Sequence, residues 1–400
     1  MDAAAEALPP QEKRYLSVGL IMLSQSFQSL TYGGIGLFLP LIRKDIGLSF
    51  TQAGTLSAAS TLTYALMQIP SGYVADRIGP RRLFVVGLIG ANVLAFVFAL
   101  LDDFWLFFVN QAVTGVLRAL VFAPGLLLIM ALFPPQRRAT AMGLFVAGGF
   151  SSSVLLNLFG PLLVGPVGWR HLFMIFAAGG VVVCLAYWRF GAPAPVRTTA
   201  PVPLRQALDL FRYPQMWLIG GIQYVRLAVF IGISFWLPSF LVDERHRSLQ
   251  LAGVIVAIAA AITAPSNFLG GYISDRLRSP YLVIGGSLAA IAITTFLMAR
   301  VHDIVLLIVV ISINAIFVQL YFGPLFSVPV EMLGPRAAGM ASGFGNFFAN
   351  MGGFTFAFTL GRVKDVTGSF DIGFYTLSAA AVLGLACTIT LSRMKPLAQI

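Results

Sequence analysis

Four hundred residues would ordinarily fold as two or three soluble domains, but 58% of this chain is hydrophobic and only 10% is charged. A soluble domain carries about 25% charged residues, so there is too little polar side chain here to cover a globule in water. The chain is expected to be a polytopic membrane protein with the lipid bilayer as its solvent. The net charge of +11 does not indicate a nucleic-acid partner, because the basic residues stand singly or in pairs between apolar runs, where they act as a topology signal.

In chain order, residues 1–14 form a short tail of mixed charge containing Pro9 and Pro10. It lacks an apolar core followed by a small-residue cleavage site, so no cleaved signal peptide is expected. Apolar stretches long enough to span a bilayer as helices follow near 15–42, 51–75, 82–101, 104–133, 139–164, 169–190, 214–241, 250–274, 281–299, 303–332, 338–360 and 372–392. The expectation is an all-α fold of twelve transmembrane helices. The one long polar interval, 191–213, is rich in Pro and Arg and separates six spans from six. The predicted organisation is a tail at 1–14, a six-helix bundle at 15–190, a linker at 191–213, a second bundle at 214–393 and a tail at 394–400. Arg and Lys favour the terminus-bearing side by about two to one, which predicts cytoplasmic termini in a cytoplasmic membrane. Cys184 and Cys387 each lie inside an apolar run, with no metal-ligand spacing around them, so neither a disulfide framework nor a metal site is expected. No cofactor is expected either.

The halves repeat each other. Gly72-Tyr73-Val74-Ala75-Asp76-Arg77 recurs as Gly271-Tyr272-Ile273-Ser274-Asp275-Arg276, Leu39-Pro40 as Leu237-Pro238, Ala53-Gly54 as Ala252-Gly253, and Pro124 as Pro324. A register held across four landmarks predicts a duplicated six-helix unit, and parallel repeats place a transported solute near the midplane between them.

Gly72-x-x-x-Asp76-Arg77-x-Gly79-x-Arg81-Arg82 resembles the signature loop of the major facilitator superfamily, and residues 270–278 resemble its degenerate second copy around Asp275 and Arg276. The resemblance implies two pseudo-symmetric six-helix bundles working by alternating access. It also implies that Asp76 faces the start of span eleven near Arg336–Gly339 and that Asp275 faces span five near Ala139, with the loop acting as a conformational gate. Trp236-Leu237-Pro238-Ser239-Phe240-Leu241 with Asp243-Glu244-Arg245, and Gly361-x-x-x-Asp365-x-Thr367-Gly368-Ser369-Phe370, are similar to the anion:cation symporter branch. Two positions depart from that branch. Gln111 stands where an Arg is usual, and Arg118 stands where the branch tends to carry a proton-coupling carboxylate.

An ionisable residue in the middle of a span is costly and therefore a functional candidate. Arg118 and Arg226 sit at such depths in spans four and seven, and no Asp or Glu does. The resemblance implies that spans one, four, seven and ten line a central cavity. On them, helical spacing groups Gln25, Gln28 and Tyr32; Gln111, Thr114 and Arg118; Gln223 and Arg226; and Asn314 and Tyr321. Ser342, Asn346 and Asn350 make a further stripe on span eleven, while Glu331 is expected to pair with Arg336. The candidate substrate-binding residues are Arg118, Arg226, Gln28, Tyr32, Gln25, Gln223, Asn314, Tyr321 and Asn346.

Two guanidinium groups offer planar paired donors for carboxylate or phosphate. The expected function is transport of a small organic anion, a mono- or dicarboxylate before a phosphate ester, by a monomer, with anion exchange as a candidate mode. The alternative is a proton-coupled drug or metabolite exporter, which would ordinarily use a membrane carboxylate. A receptor on the same scaffold would ordinarily append a signalling domain. An enzyme is not expected, since no nucleophile, base and orienting group form a recognisable set.

Overall fold

The computed structural model describes residues 10–134, 138–192, 212–333 and 335–394. All regular structure among them is helical, as a bilayer requires of a chain whose backbone groups find no partner in lipid. In order the helices are α1 (Gln11–Leu37), α2 (Leu39–Ile46), α3 (Phe50–Ile78), α4 (Pro80–Phe98), α5 (Phe104–Ala119), α6 (Phe122–Ala131), α7 (Arg138–Val167) and α8 (Trp169–Phe190). After the linker come α9 (Pro214–Ser239), which continues as a π-helical turn at Phe240–Glu244, α10 (Leu249–Leu277), α11 (Pro280–Arg300) and α12 (Ile304–Leu320). The last three are α13 (Phe322–Leu333), α14 (Pro335–Thr367) and α15 (Asp371–Ser392).

These helices fall on the intervals that hydropathy predicts, with the first, fourth and tenth intervals each split in two. By length and composition, 8 of the described segments are apolar enough to cross a membrane. Two of the splits share one cause. A proline inside a helix clashes with the carbonyl four residues earlier and cannot donate to it. Pro124 stands four residues after Leu120, which caps the end of α5, and Pro324 four residues after Leu320, the last residue of α12. The repeated proline therefore produces the same break in both halves, one turn from the buried polar residues.

The described chain clusters into two compact units, residues 1–35 with 66–200 and residues 36–65 with 201–400. In the first, Phe98 packs against Phe107 (4.7 Å between centroids) and Phe173 (5.5 Å), joining α4, α5 and α8. Arginines close its helix ends: Arg81 donates to the carbonyls of Trp188 and Gly191 at the end of α8, and Arg170 to those of Ala99 and Leu101 beyond α4. Such carbonyls have no helical partner, and a cation there also meets the negative end of the helix dipole.

In the second unit α9 and α14 approach closely, because a Cβ on Gly352 would collide with the Tyr224 carbonyl. The buried Trp236 indole N–H donates to the Ala357 carbonyl at 3.0 Å. Arg245 caps the end of α11 through Met298 and Ala299, repeating what Arg170 does for α4.

Residues 36–65 pack wholly into this second unit. Arg43 pairs with Asp243 (3.1 Å) and Lys364 with Glu244 (2.8 Å). Glu244 also accepts the Ser369 hydroxyl and the Phe370 N–H. The Asp365 carboxylate accepts the N–H groups of Phe50 and Thr51, capping α3 from a different helix. The Phe50 ring lies between two cations, with the Arg43 guanidinium carbon 3.2 Å and the Lys364 Nζ 5.6 Å from its centroid. Both short stretches similar to the anion:cation symporters, 236–245 and 361–370, meet at this cluster.

Candidate functional site

In the first unit, Arg118 occupies the last turn of α5, just ahead of the proline-induced break. Its guanidinium carbon lies 3.4 Å from the centroid of the Tyr32 ring on α1. A cation stacked this way gains about 0.5–2 kcal/mol, more when water is excluded. The same pocket is lined by Gln28, Thr31, Gln111 and Thr114 over an apolar floor of Ala91, Ala95, Phe98 and Phe173, and encloses about 20 Å³. That is room for roughly one water. The Thr114 hydroxyl donates to the Asn110 carbonyl, the Gln111 amide to the Asn110 side chain, and Asn110 in turn to the Leu94 carbonyl. These bonds fix the polar stripe of α5 toward the pocket. Gln28 is 7% exposed, and its Nε2 donor has no partner among the described residues. Gln25, a turn earlier on α1, does not line the pocket; it lies beside Gly149 of α7.

In the second unit, Arg226 on α9 is 8% exposed. Its Nε–H donates to the Gln223 Oε1 at 2.8 Å, and its guanidinium carbon lies 4.9 Å from the centroid of Phe322, the first residue of α13. Tyr321, at the break itself, is fully buried beside Arg226, and its hydroxyl has no partner among the described residues. Asn314 donates to the Thr294 hydroxyl at 2.8 Å, so its amide braces α12 against α11. Asn346 is partly exposed on α14, and its carbonyl accepts the Asn350 amide.

The two units thus use one device in reverse. In the first, the cation is on the broken span and the aromatic ring on α1. In the second, the ring follows the break and the cation is on α9, at the repeat position of Gln28. The sequence located both arginines and Tyr32 by depth and spacing. It offered no signal for Phe322, whose role depends on a contact between distant spans.

The signature loop is described in part. Gly79 has φ 92°, a conformation that side-chain-bearing residues avoid, and it admits the chain into α4 with Arg81 placed to cap α8. Its counterpart in the second copy is Arg278, at φ 50°. Asp275 and Arg276 are exposed in the last turn of α10. The side chains of Asp76, Arg77, Ala139, Glu331, Arg336 and Ser342, the surroundings of Gly72, and residues 193–211 lie outside what is described. Among the described residues no cluster of three His, Cys, Asp or Glu could hold a metal ion.

Outside the membrane spans, the Asp365 carboxyl is displaced from its ordinary range. Burial pushes it up, but hydrogen bonds from Thr51, Phe50 and Ser49 outweigh that and hold it below the usual carboxylate range.

A polytopic helical protein with internally repeated, proline-broken spans and an arginine within a span of each repeat has the attributes of a membrane carrier. The chain belongs to the Major Facilitator Superfamily, whose profile matches residues 21–357. It is 26% identical to the probable sulfoacetate transporter SauU of Cupriavidus necator, over 94% of this chain and 93% of that protein. To a putative tartrate transporter of Agrobacterium vitis it is 25% identical, over 95% and 93% of the two chains. Its fold matches the bacterial Spinster homologue crystallised in an inward-facing, occupied conformation with a TM-score of 0.83 and 20% identity, covering 97% and 98% of the two chains.

Proposed function

We propose that this protein is a secondary transporter for a small organic anion, working by alternating access in a cytoplasmic membrane with both termini on the cytoplasmic side. The observation that carries this reading is the pair of arginines at mid-span depth, half-buried Arg118 and buried Arg226. Each is stacked on an aromatic ring, and no carboxylate among the described residues stands at the same depth. Burying a cation in the membrane interior is retained only where something repays it, and an oxyanion repays it with charge-assisted hydrogen bonds. Gln28, Tyr32 and Arg118 form one anion-binding group and Arg226 with Tyr321 a second, each within its own unit, in a chain of bundles at 15–190 and 214–393 joined by the linker 191–213. The signature loops around Asp76 and Asp275 serve as hinges of the conformational change.

The names of the relatives support the solute class, since they include transporters of sulfoacetate, tartrate and D-galactonate. Mono- and dicarboxylates and sulfonated carboxylates are therefore the first candidates. The test is thermal unfolding of the purified protein against sulfoacetate, tartrate, D-galactonate, nitrite and phosphate. A ligand that binds only the folded state raises the midpoint in proportion to the logarithm of its concentration. A panel without any such shift, together with full transport by an Arg118→Ala, Arg226→Ala variant, overturns the reading in favour of a neutral-solute carrier.

A further inference from the structure

Arg226 has two edges with different surroundings. Its Nε is satisfied by the Gln223 Oε1 at 2.8 Å, on the preceding turn of α9. Its two Nη groups have no hydrogen-bond partner among the described residues, although the side chain is 8% exposed. The face of the guanidinium is covered by the Phe322 ring. With Nε bonded and one face covered, the terminal Nη pair is the edge on which this cation can take a ligand.

What holds Gln223 in that role is a helix from elsewhere in the unit. Gln223 is 1% exposed and packs against α14 at Gly345. A Cβ on Gly345 would stand 3.2 Å from the Gln223 Cγ and 3.6 Å from its Nε2. Hydrogen at position 345 therefore leaves the amide the space it occupies. Beside the same cation, the fully buried Tyr321 hydroxyl has no partner among the described residues. A buried hydroxyl without a partner carries a desolvation cost that a ligand oxygen relieves.

We propose that Gln223, seated against Gly345, is a positioning residue that turns the Nη edge of Arg226 outward, so that an oxyanion is taken end-on by the two Nη groups with the Tyr321 hydroxyl as third donor. The proposal rests on the anion reading above and sharpens it. Gln223 acts through Arg226 and does not itself touch the solute. The geometry suits a planar carboxylate or one face of a sulfonate, both of which match a paired N–H edge.

Because Gln223 works only through Arg226, the two should not be additive. The experiment measures affinity by isothermal titration on the full-length protein, with tartrate, D-galactonate and sulfoacetate as probes. It uses the wild type, Gln223→Leu, Gly345→Ala, Tyr321→Phe, Arg226→Ala, and each of the first three combined with Arg226→Ala. The expected result is a loss of about tenfold for Gln223→Leu and a smaller loss for Gly345→Ala. Both losses should vanish when Arg226 is already alanine. Tyr321→Phe should also weaken binding while raising the thermal midpoint without ligand, since it removes an unpaired buried hydroxyl.

Gln223→Leu weakening binding equally with and without Arg226 would make Gln223 a direct ligand contact and overturn the positioning role. An unchanged affinity in Gln223→Leu overturns it as well. Gly345→Ala, a milder change on another helix, keeps the question open to measurement if Gln223→Leu does not fold. A wild type that binds none of the three probes overturns the anion reading itself, and with it this proposal. Wild-type binding with Gln223 inert overturns only the proposal.

Discussion

Arg118 is stacked on the Tyr32 ring beside a polar pocket, and Arg226 is held by Phe322 and Gln223 beside a buried hydroxyl. For Arg118 the expectation is that lysine fails nearly as badly as alanine, because a point charge keeps neither the fork nor the flat stack on Tyr32. Either substitution should cost about 1.5–3 kcal/mol of anion binding, a ten- to hundredfold weaker affinity in titration. Tyr32→Leu removes only the stack and should cost about 0.5–2 kcal/mol. Equal affinities in wild type and Arg118→Lys would show that charge alone is read. Gly79 makes a second residue-scale case. Its φ of 92° is strained for any side chain by about 1–3 kcal/mol, so Gly79→Ala should lower the thermal midpoint while leaving anion affinity intact in the fraction that folds.

Among the helices, the segment 36–65 shows how packing assigns a role that chain order does not. It lies between α1 and the rest of α3, yet its polar contacts are with Asp243 and Asp365 at the ends of α9 and α14. Asp365 is held below the usual carboxylate pKa of about 3.9 by the amides it caps. Its contribution is therefore complete above that usual value and is lost as pH falls through the lowered one. Acidification below the usual carboxylate value should therefore loosen the start of α3. Amide exchange at Phe50 and Thr51, corrected for intrinsic rate, should rise a few-fold, the modest size following from the exposure of the carboxylate. In Asp365→Asn the same amides should exchange faster at neutral pH and lose this pH dependence. An unchanged profile in Asp365→Asn would assign the capping to another group.

For the protein as a carrier, the arginines set the expectation for coupling. Dehydrating two mid-span cations on closure is costly when no anion is present, so the empty carrier should reorient slowly and the loaded one readily. In proteoliposomes, internal substrate should accelerate uptake of labelled anion about tenfold or more, whereas an imposed pH gradient alone should have little effect. Strong accumulation driven by the pH gradient into vesicles lacking internal anion would mean that a protonatable group is coupled after all, with Glu331, Asp365 and the substrate's own carboxylate the first to test.

The sequence by itself determined the class of this protein, its helix intervals and its internal repeat, because a bilayer imposes its demands locally: apolar length, satisfied backbone and turns at the right spacing. It also marked Arg118 and Arg226, since a cation at mid-span stands out against an apolar background. Even the breaks at Leu120 and Leu320 were implicit in Pro124 and Pro324, four residues on. Only the tertiary structure decided what each cation touches. Arg118 meets Tyr32 from another span, Arg226 meets Phe322 across the unit, Asn314 is taken by Thr294, and Arg43 finds Asp243 at a separation of 200 residues. Hydropathy and spacing are properties of neighbours along the chain. Partners brought together by helix packing are not, and the chemistry of the site depends on those partners.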